Sequence, residues 1–203
     1  MNLSEWADVA TICGSIAISA AVAQALTMRR QFMADHERGR REKTVELLTE
    51  WFSRQEKEGP IARKIAEQLT EAQCRDVLAQ QSIHVPAKLC KQLSQLFGTE
   101  IKCEEGEREV FITESQSADL RWHVVRYLNS LEMILVAWQY SIIDRGIIET
   151  QFSYLFRPTE GHEVLKAFRS AAGGEETFPA IEIFVNHVKD KRRDKLIQKA
   201  NVA

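Results

Sequence analysis

The chain has 203 residues, of which 44% are hydrophobic and 28% are charged, and its formal net charge is −2. This size and content suffice to bury the core of one domain, whereas the balanced charge excludes the strong basic field of a typical nucleic-acid-binding protein. The four cysteines include no C-x-x-C pair and form no dense framework, so we expect reduced thiols and no metal site or other cofactor.

The first predicted element is a single transmembrane helix over residues 9–28, a run without any charged side chain. About twenty helical residues that rise about 1.5 Å each span the hydrocarbon core of a bilayer, which is about 30 Å thick. The alternatives are a buried core helix, an interfacial helix, and a cleaved secretory signal with Ala23-Gln24-Ala25 at its cleavage site.

The charges that flank this run predict its orientation. Glu5 and Asp8 precede the run and Arg29 and Arg30 follow it, which is the reverse of a secretory signal. By the positive-inside rule, the rest of the chain lies in the cytoplasm, and Trp6 lies where interfacial aromatic residues are common. We therefore expect a single-pass protein of the bacterial inner membrane with a cytoplasmic C-terminal domain.

Small residues recur along the same run, at Gly14, Ser15, Ser19 and Ala23. Such a stripe allows two helices to approach closely in lipid. The expected partners are therefore the membrane itself and either further copies of this chain in a homo-oligomer or another membrane protein.

Helical periodicity fills most of the remaining chain and predicts an all-α fold, a helical bundle whose central helix lies over residues 117–138. The predicted domains are a membrane anchor over 1–30, a cytoplasmic helical domain over 31–188 and a basic tail over 189–203. The predicted helices are the continuation of the anchor to Gln55 and the segments 61–69, 70–79, 86–98, 117–138, 147–156, 160–172 and 179–191.

Two segments each allow two interpretations from pattern alone. In residues 100–113, Ile101 and Cys103 and then Val110 and Ile112 alternate with polar residues, which predicts a small β-hairpin, with a charged loop as the alternative. The basic run 189–199 is interpreted either as a solvated helix end or as a contact with anionic lipid headgroups.

No familiar catalytic motif occurs in the chain, so we expect a protein that is not an enzyme. The polar residues that merit attention are Arg126, Asn129 and Glu132, which lie along one side of the central helix, with Arg63 or Asp144 as a further member. A structural ion-pair network accounts for them, and a binding or catalytic site is the alternative.

Five short motifs together resemble a bacterial family of domains of unknown function. The resemblance covers residues 1–156 and implies a single-pass membrane protein with a helical cytoplasmic domain, without catalytic residues to carry over. The motifs are Arg40-Arg41-x-x-Thr44, Leu48-x-x-Trp51, Arg126-x-Leu128-Asn129-x-x-Glu132, Ile142-Ile143-Asp144-x-Gly146-Ile147-Ile148 and Phe152-x-x-x-Phe156.

These features predict a membrane-anchored helical interaction module or accessory subunit. By analogy of layout alone, a phage-defence or toxin system is the expected context. One alternative is an enzyme of unfamiliar type that uses Arg126, Asn129 and Glu132. The other is a nucleic-acid-binding protein that uses the basic segments 38–43 and 189–199, an alternative disfavoured because few aromatic residues accompany those segments.

Overall fold

A computed structural model describes residues 3–55, 57–101, 106–156 and 163–202, and within them the side chains of residues 18, 20–55, 57–101, 106–156 and 163–198. The chain separates into two compact units, Met1–Lys43 and Thr44–Ala203. The elements in chain order are α1 (Leu3–Arg54), α2 (Glu58–Ala66), α3 (Glu71–Leu78), β1 (Ile83–Pro86), α4 (Cys90–Phe97), β2 (Glu109–Ile112), α5 (Glu114–Gln139), α6 (Arg145–Phe152), α7 (Lys166–Ala171) and α8 (Pro179–Val202).

The first unit consists of the N-terminal part of α1. Its described side chains in residues 18–39 are all exposed. Among the residues that the structure describes, no helix is long and apolar enough to cross a membrane. The side chains of residues 9–17 and of Ser19, which belong to the predicted span, lie outside the described set.

The second unit is a helical domain arranged around α5, as the periodicity predicts. Thr113 and Gln116 form a capping box at the start of this helix, which satisfies backbone N–H groups that lack partners in the first turn. Apolar residues at spacings of four and three, such as Val124, Leu128 and Leu131, are fully buried. They pack against α2, α3 and α8, so α5 supplies the central wall of the core.

The second unit also contains a two-stranded antiparallel sheet, whose pairing differs from the predicted hairpin. Strand β2 pairs with β1, with Ile83 opposite Ile112 and Val85 opposite Val110. β2 lies where the second strand of the hairpin predicted over 100–113 was expected, but its partner is β1, and residues 102–105, which include part of the predicted first strand and its turn, lie outside the described residues. The side chains of Ile83 and Val85 are buried and lie opposite the buried residues of β2. The strand that pairs with β2 is therefore distant from it in sequence.

The cysteines also differ from expectation. Cys90, at the start of α4, is disulfide-bonded, so the prediction that all four thiols are reduced is wrong. Sequence spacing does not show which cysteines the fold brings together, and that proximity decides whether a bridge forms. Cys74 is a buried free thiol, and burial, followed by the charge of Glu71, raises its pKa to about 12.

Candidate functional site

Glu132, the acid of the predicted polar network, caps another helix. Its two carboxylate oxygens accept hydrogen bonds from the backbone N–H groups of Ala180 at 2.7 Å and of Ile181 at 2.9 Å. Both donors belong to the first turn of α8, where N–H groups lack helical partners and negative charge is favourable. Glu132 therefore joins α5 to α8.

Asp144 also caps a helix, at the start of α6. Its carboxylate accepts a hydrogen bond from the backbone N–H of Ile147 at 3.1 Å and so caps α6. Its own backbone N–H donates to the hydroxyl of Thr44 at 2.8 Å. Because the Thr44 side chain is fully buried, this contact ties the part of α1 within the second unit to α6.

Arg126 and Asn129 lie on the outer face of α5. The Arg126 guanidinium lies 4.9 Å from the centre of the Trp122 ring, a cation–π geometry. Arg63 makes a similar contact with Tyr127 at 5.9 Å. The predicted residues thus divide into two helix caps, Glu132 and Asp144, and two residues of one surface groove.

This groove, which we call the α5 groove, has a volume of about 490 Å³. It is lined by apolar, cationic and uncharged polar side chains and by no acidic residue, and Trp122 and Met133 expose more than half of their surface. The Nε atom of Arg121 is buried without a hydrogen-bond partner in the described part of the chain. The lining residues are Arg54, Arg121, Trp122, Val125, Arg126, Asn129, Ser130 and Met133.

Six residues on the solvent-facing side of α5 and at its C-terminal cap also follow a regular pattern, and all except the half-buried Arg126 are exposed. They are spaced alternately by four and three positions, which is the spacing of a helical face that receives a second helix. Asn129 occupies a central position, where a polar residue fixes the register of such a pair. The members of this stripe are Trp122, Arg126, Asn129, Met133, Val136 and Tyr140.

A second polar cluster surrounds Glu149 on α6. The Trp138 indole donates a hydrogen bond to Glu149 Oε1 at 3.3 Å, and Lys191 donates to Oε2. His187 Nε2 lies 3.0 Å from Oε1, an ion-pair distance, although the ring nitrogen is not aligned for a hydrogen bond. Burial opposes ionisation, but the Lys191 hydrogen bond, the charges of His187 and Lys191 and the indole together hold the pKa of Glu149 below its ordinary value of 4.5.

Sequence reasoning missed this cluster, since neither His187 nor Glu149 was among the residues that it singled out. The signal that was available is the spacing of His187 and Lys191, which places them on one face of α8. Their partner Glu149 lies on another helix, so no local pattern connects the three residues.

A buried ion pair was also missed. Arg169 on α7 is 3% exposed and donates through Nε to Glu182 on α8 at 2.8 Å. It also donates to the carbonyl of Val164, next to the positive φ of Val164 and Leu165. These contacts hold the turn before α7 against α8, which is a structural task.

The described residues contain no group of His, Cys, Asp and Glu side chains that suits a metal ion. The candidate sites are therefore the α5 groove and the Glu149 cluster.

A family model for a domain of unknown function, DUF4760, matches residues 14–188. The chain belongs to this family. The DUF4760 match includes the residues that line the α5 groove and Glu149 of α6. It also extends beyond the motifs that end at Phe156. The resemblance to a family of unknown function is thus confirmed. No curated protein and no solved structure matches the chain.

Proposed function

We propose that the chain is a non-enzymatic helical interaction module attached to a membrane by the first part of α1. The observation that carries this proposal is the exposure of apolar side chains along a helix segment without charges. Ile18, Val22, Leu26 and Met28 each expose more than half of their surface. Transfer of such side chains from water to an apolar environment is favourable, and a bilayer provides that environment for residues 9–28.

The proposed location is the bacterial inner membrane, with the second unit in the cytoplasm. The support is the charge asymmetry between Glu5 and Asp8 on one side of the run and Arg29 and Arg30 on the other. The disulfide at Cys90 is more typical of an oxidising compartment, so orientation needs its own test. Protease added to intact spheroplasts should leave the second unit uncut, and its digestion there would reverse the orientation.

Fractionation of the full-length chain tests the attachment. We expect detergent, and not carbonate, to release the protein from membranes. The double variant Ile18→Lys/Val22→Lys should move to the soluble fraction, because each lysine near the centre of a span costs about 2.5–3.5 kcal/mol. Val45→Lys is the matched control, since Val45 is an exposed apolar residue of the same helix outside the run. Wild-type protein in the soluble fraction would overturn the proposal.

The surface through which the module interacts is proposed to be the α5 groove. Its heptad spacing suits a second helix, and charge complementarity selects the occupant. Arg121 and Arg126 line the groove without an acidic residue in its lining, and Arg54 also lines it while paired with Glu50, so the partner is an amphipathic helix with apolar residues in the seam and acidic residues beside it.

Two synthetic helices test this surface. Both carry leucine at the seam positions, and one has glutamate and the other lysine at the flanking positions. We expect fluorescence anisotropy to show binding of the glutamate peptide to the full-length chain in detergent, and much weaker binding of the lysine peptide. Trp122→Ala/Met133→Ala should abolish the difference, whereas Ile183→Ala, at an exposed apolar position of α8, should leave it unchanged. Equal binding of both peptides would refute the proposal that the α5 groove binds a helix with acidic flanking residues.

The two alternative functions receive different support from the geometry. An enzyme that uses Glu132 has both carboxylate oxygens already engaged by α8. For a nucleic-acid-binding protein, several cations of the basic segments are paired within their own helix, as Arg38 is with Glu42, Arg41 with Glu37 and Arg193 with Asp190. Such pairing weakens the attraction for phosphates, so nucleic acid is not proposed as a partner.

A further inference from the structure

A cleft of about 460 Å³ lies between α6 and α8, with the Glu149 cluster in its wall. Small-molecule sites in proteins commonly have volumes of about 300–1,000 Å³, so the cleft is large enough for a phosphate group with an attached organic body. The residues that line it are Gly146, Glu149, Thr150, Ser153, His187, Val188, Lys191, Arg192 and Lys195.

The charge of this lining is strongly asymmetric. Lys191, Arg192 and Lys195 supply positive charge, and Glu149 is the single acid among the lining residues. The charge of Glu149 is already balanced by Lys191. In the described part of the chain, Arg192 and Lys195 form no ion pair, which leaves two cations facing the cleft.

One cation of this wall, Lys191, is held in place from the core. Trp138 is 1% exposed, and it fixes Glu149 through the indole N–H. Glu149 in turn fixes the positions of His187 and Lys191, and the His187 ring packs 5.1 Å from the Trp138 ring. Side chains that are positioned before a ligand arrives lose less conformational entropy when it binds. Lys191 therefore differs from a free surface lysine, because Glu149 and the buried Trp138 order it, and Arg192 and Lys195 line the cleft from the same helix.

We propose that this cleft binds a phosphate monoester, contacted by Lys191, Arg192 and Lys195 through charge-assisted hydrogen bonds. A planar guanidinium and two ammonium groups suit a tetrahedral oxyanion with several acceptor oxygens. The phosphate belongs either to a soluble metabolite or to the headgroup of an anionic phospholipid, since both present the same chemistry. The proposal does not depend on the anchor or on the α5 groove.

Isothermal titration calorimetry of the full-length chain in a neutral detergent tests the site with three probes. They are inorganic phosphate, dihexanoyl phosphatidic acid, and dihexanoyl phosphatidylcholine, whose headgroup is a diester and zwitterionic. The test variant is Arg192→Ala/Lys195→Ala. The matched control is Lys189→Ala/Arg193→Ala, which removes the same charge from exposed positions on the other side of α8.

We expect phosphate or phosphatidic acid to bind the wild type and the control alike, and the test variant to bind about tenfold more weakly or worse. Binding of phosphatidic acid at least about tenfold tighter than phosphate identifies a lipid headgroup as the source, and equal binding identifies a soluble phosphate. The proposal is overturned if neither probe binds, if phosphatidylcholine binds equally well, or if the control variant weakens binding as much as the test variant. Circular dichroism confirms that α8 remains helical in both variants.

Discussion

At the scale of single residues, the Glu132 carboxylate has a predictable energetic role. In Glu132→Gln, the neutral amide oxygen can replace only one of the two carboxylate oxygens that accept from Ala180 and Ile181, and the amide NH₂ group then faces the other N–H donor. We expect a loss of about 1.5–3 kcal/mol in the free energy of unfolding, because hydrogen bonds to a charged acceptor are the stronger kind. Urea denaturation followed by circular dichroism measures this loss.

Glu175→Gln is the control for that experiment, because Glu175 is an exposed acid near the start of α8. It should change stability by less than about 0.5 kcal/mol. A Glu132→Gln protein that remains as stable as the wild type would contradict the capping role. If such a protein also lost a measurable biological activity, the enzyme alternative would gain support.

Thr44 and Thr49 provide a second comparison of single residues on α1. Thr44→Val removes the hydroxyl that accepts the Asp144 N–H, at a position that is fully buried, and should cost about 1–3 kcal/mol. Thr49 donates to the carbonyl of Val45 on the exposed face of the helix, so Thr49→Val should have little effect. Thermal denaturation compares the stability of the two variants, and equal melting temperatures would disprove the role assigned to Thr44.

The sequence identified Glu132 and Asp144 as notable residues but did not reveal their roles. Their spacing on or near α5 suggested contacts with each other, whereas their hydrogen bonds go to other segments. The partners of Glu132 lie 48 and 49 residues away, and Thr44 lies 100 residues from Asp144. Helical periodicity carries no information about contacts at such separations, so only the folded structure could assign them.

At the scale of elements, the helices were predictable because their signals are local. Capping boxes at Thr70 and Thr113 and apolar residues at helical spacing determine α3 and α5 from a few neighbouring residues. The pairing of β1 with β2 was not predictable in this way. Strand register depends on a partner that the chain reaches only after α4, and Ile83 opposite Ile112 is specified by burial in the common core.

The contact between α6 and α8 predicts how stability depends on pH. The pKa of Glu149 is lowered in the folded protein, so its stabilising contribution is present above its unfolded value of about 4.5 and is lost as the pH falls through the folded value. Glu149→Gln should therefore be less stable than the wild type at pH 6, and the difference should shrink towards pH 3. Urea midpoints at several pH values measure it.

The control for this prediction is Glu176→Gln, at an exposed acid outside the cluster. Its stability should follow that of the wild type over the same pH range. A stability difference between Glu149→Gln and the wild type that stays constant from pH 6 to pH 3 would show that the Glu149 charge does not stabilise the contact between α6 and α8.

At the scale of the whole molecule, the small-residue stripe predicts self-association in detergent. Gly14, Ser15 and Ser19 have side chains outside the described residues, and Ala23 is exposed. Ser19→Leu/Ala23→Leu should reduce the mass of the solubilised particle, because larger side chains prevent close approach of the helices. Ala20→Leu/Val22→Leu, at neighbouring positions of the same segment outside that stripe, should retain the mass. Mass photometry measures the particle mass of both variants. An unchanged mass in the first variant would contradict the role of the stripe in self-association.

The expected defence or toxin context has a separate test. If the anchors form an assembly that perturbs the bilayer, over-expression in bacteria should admit a membrane-impermeant dye. The Ile18→Lys/Val22→Lys variant, expressed at the same level, should not admit it. Equal dye entry with both proteins would leave that context without support, while the membrane attachment itself would be judged by fractionation alone.

The bond between Thr44 and Asp144 has a consequence for biosynthesis. A ribosome that adds about 5–20 residues per second needs about 5–20 s to proceed from the first of these residues to the second, and α8, which Glu132 caps, is made later still. During this interval the proposed anchor has already left the ribosome, while the second unit cannot yet close its core. Insertion into the bilayer would therefore precede folding, and the nascent helical domain would complete its structure while tethered at the membrane surface.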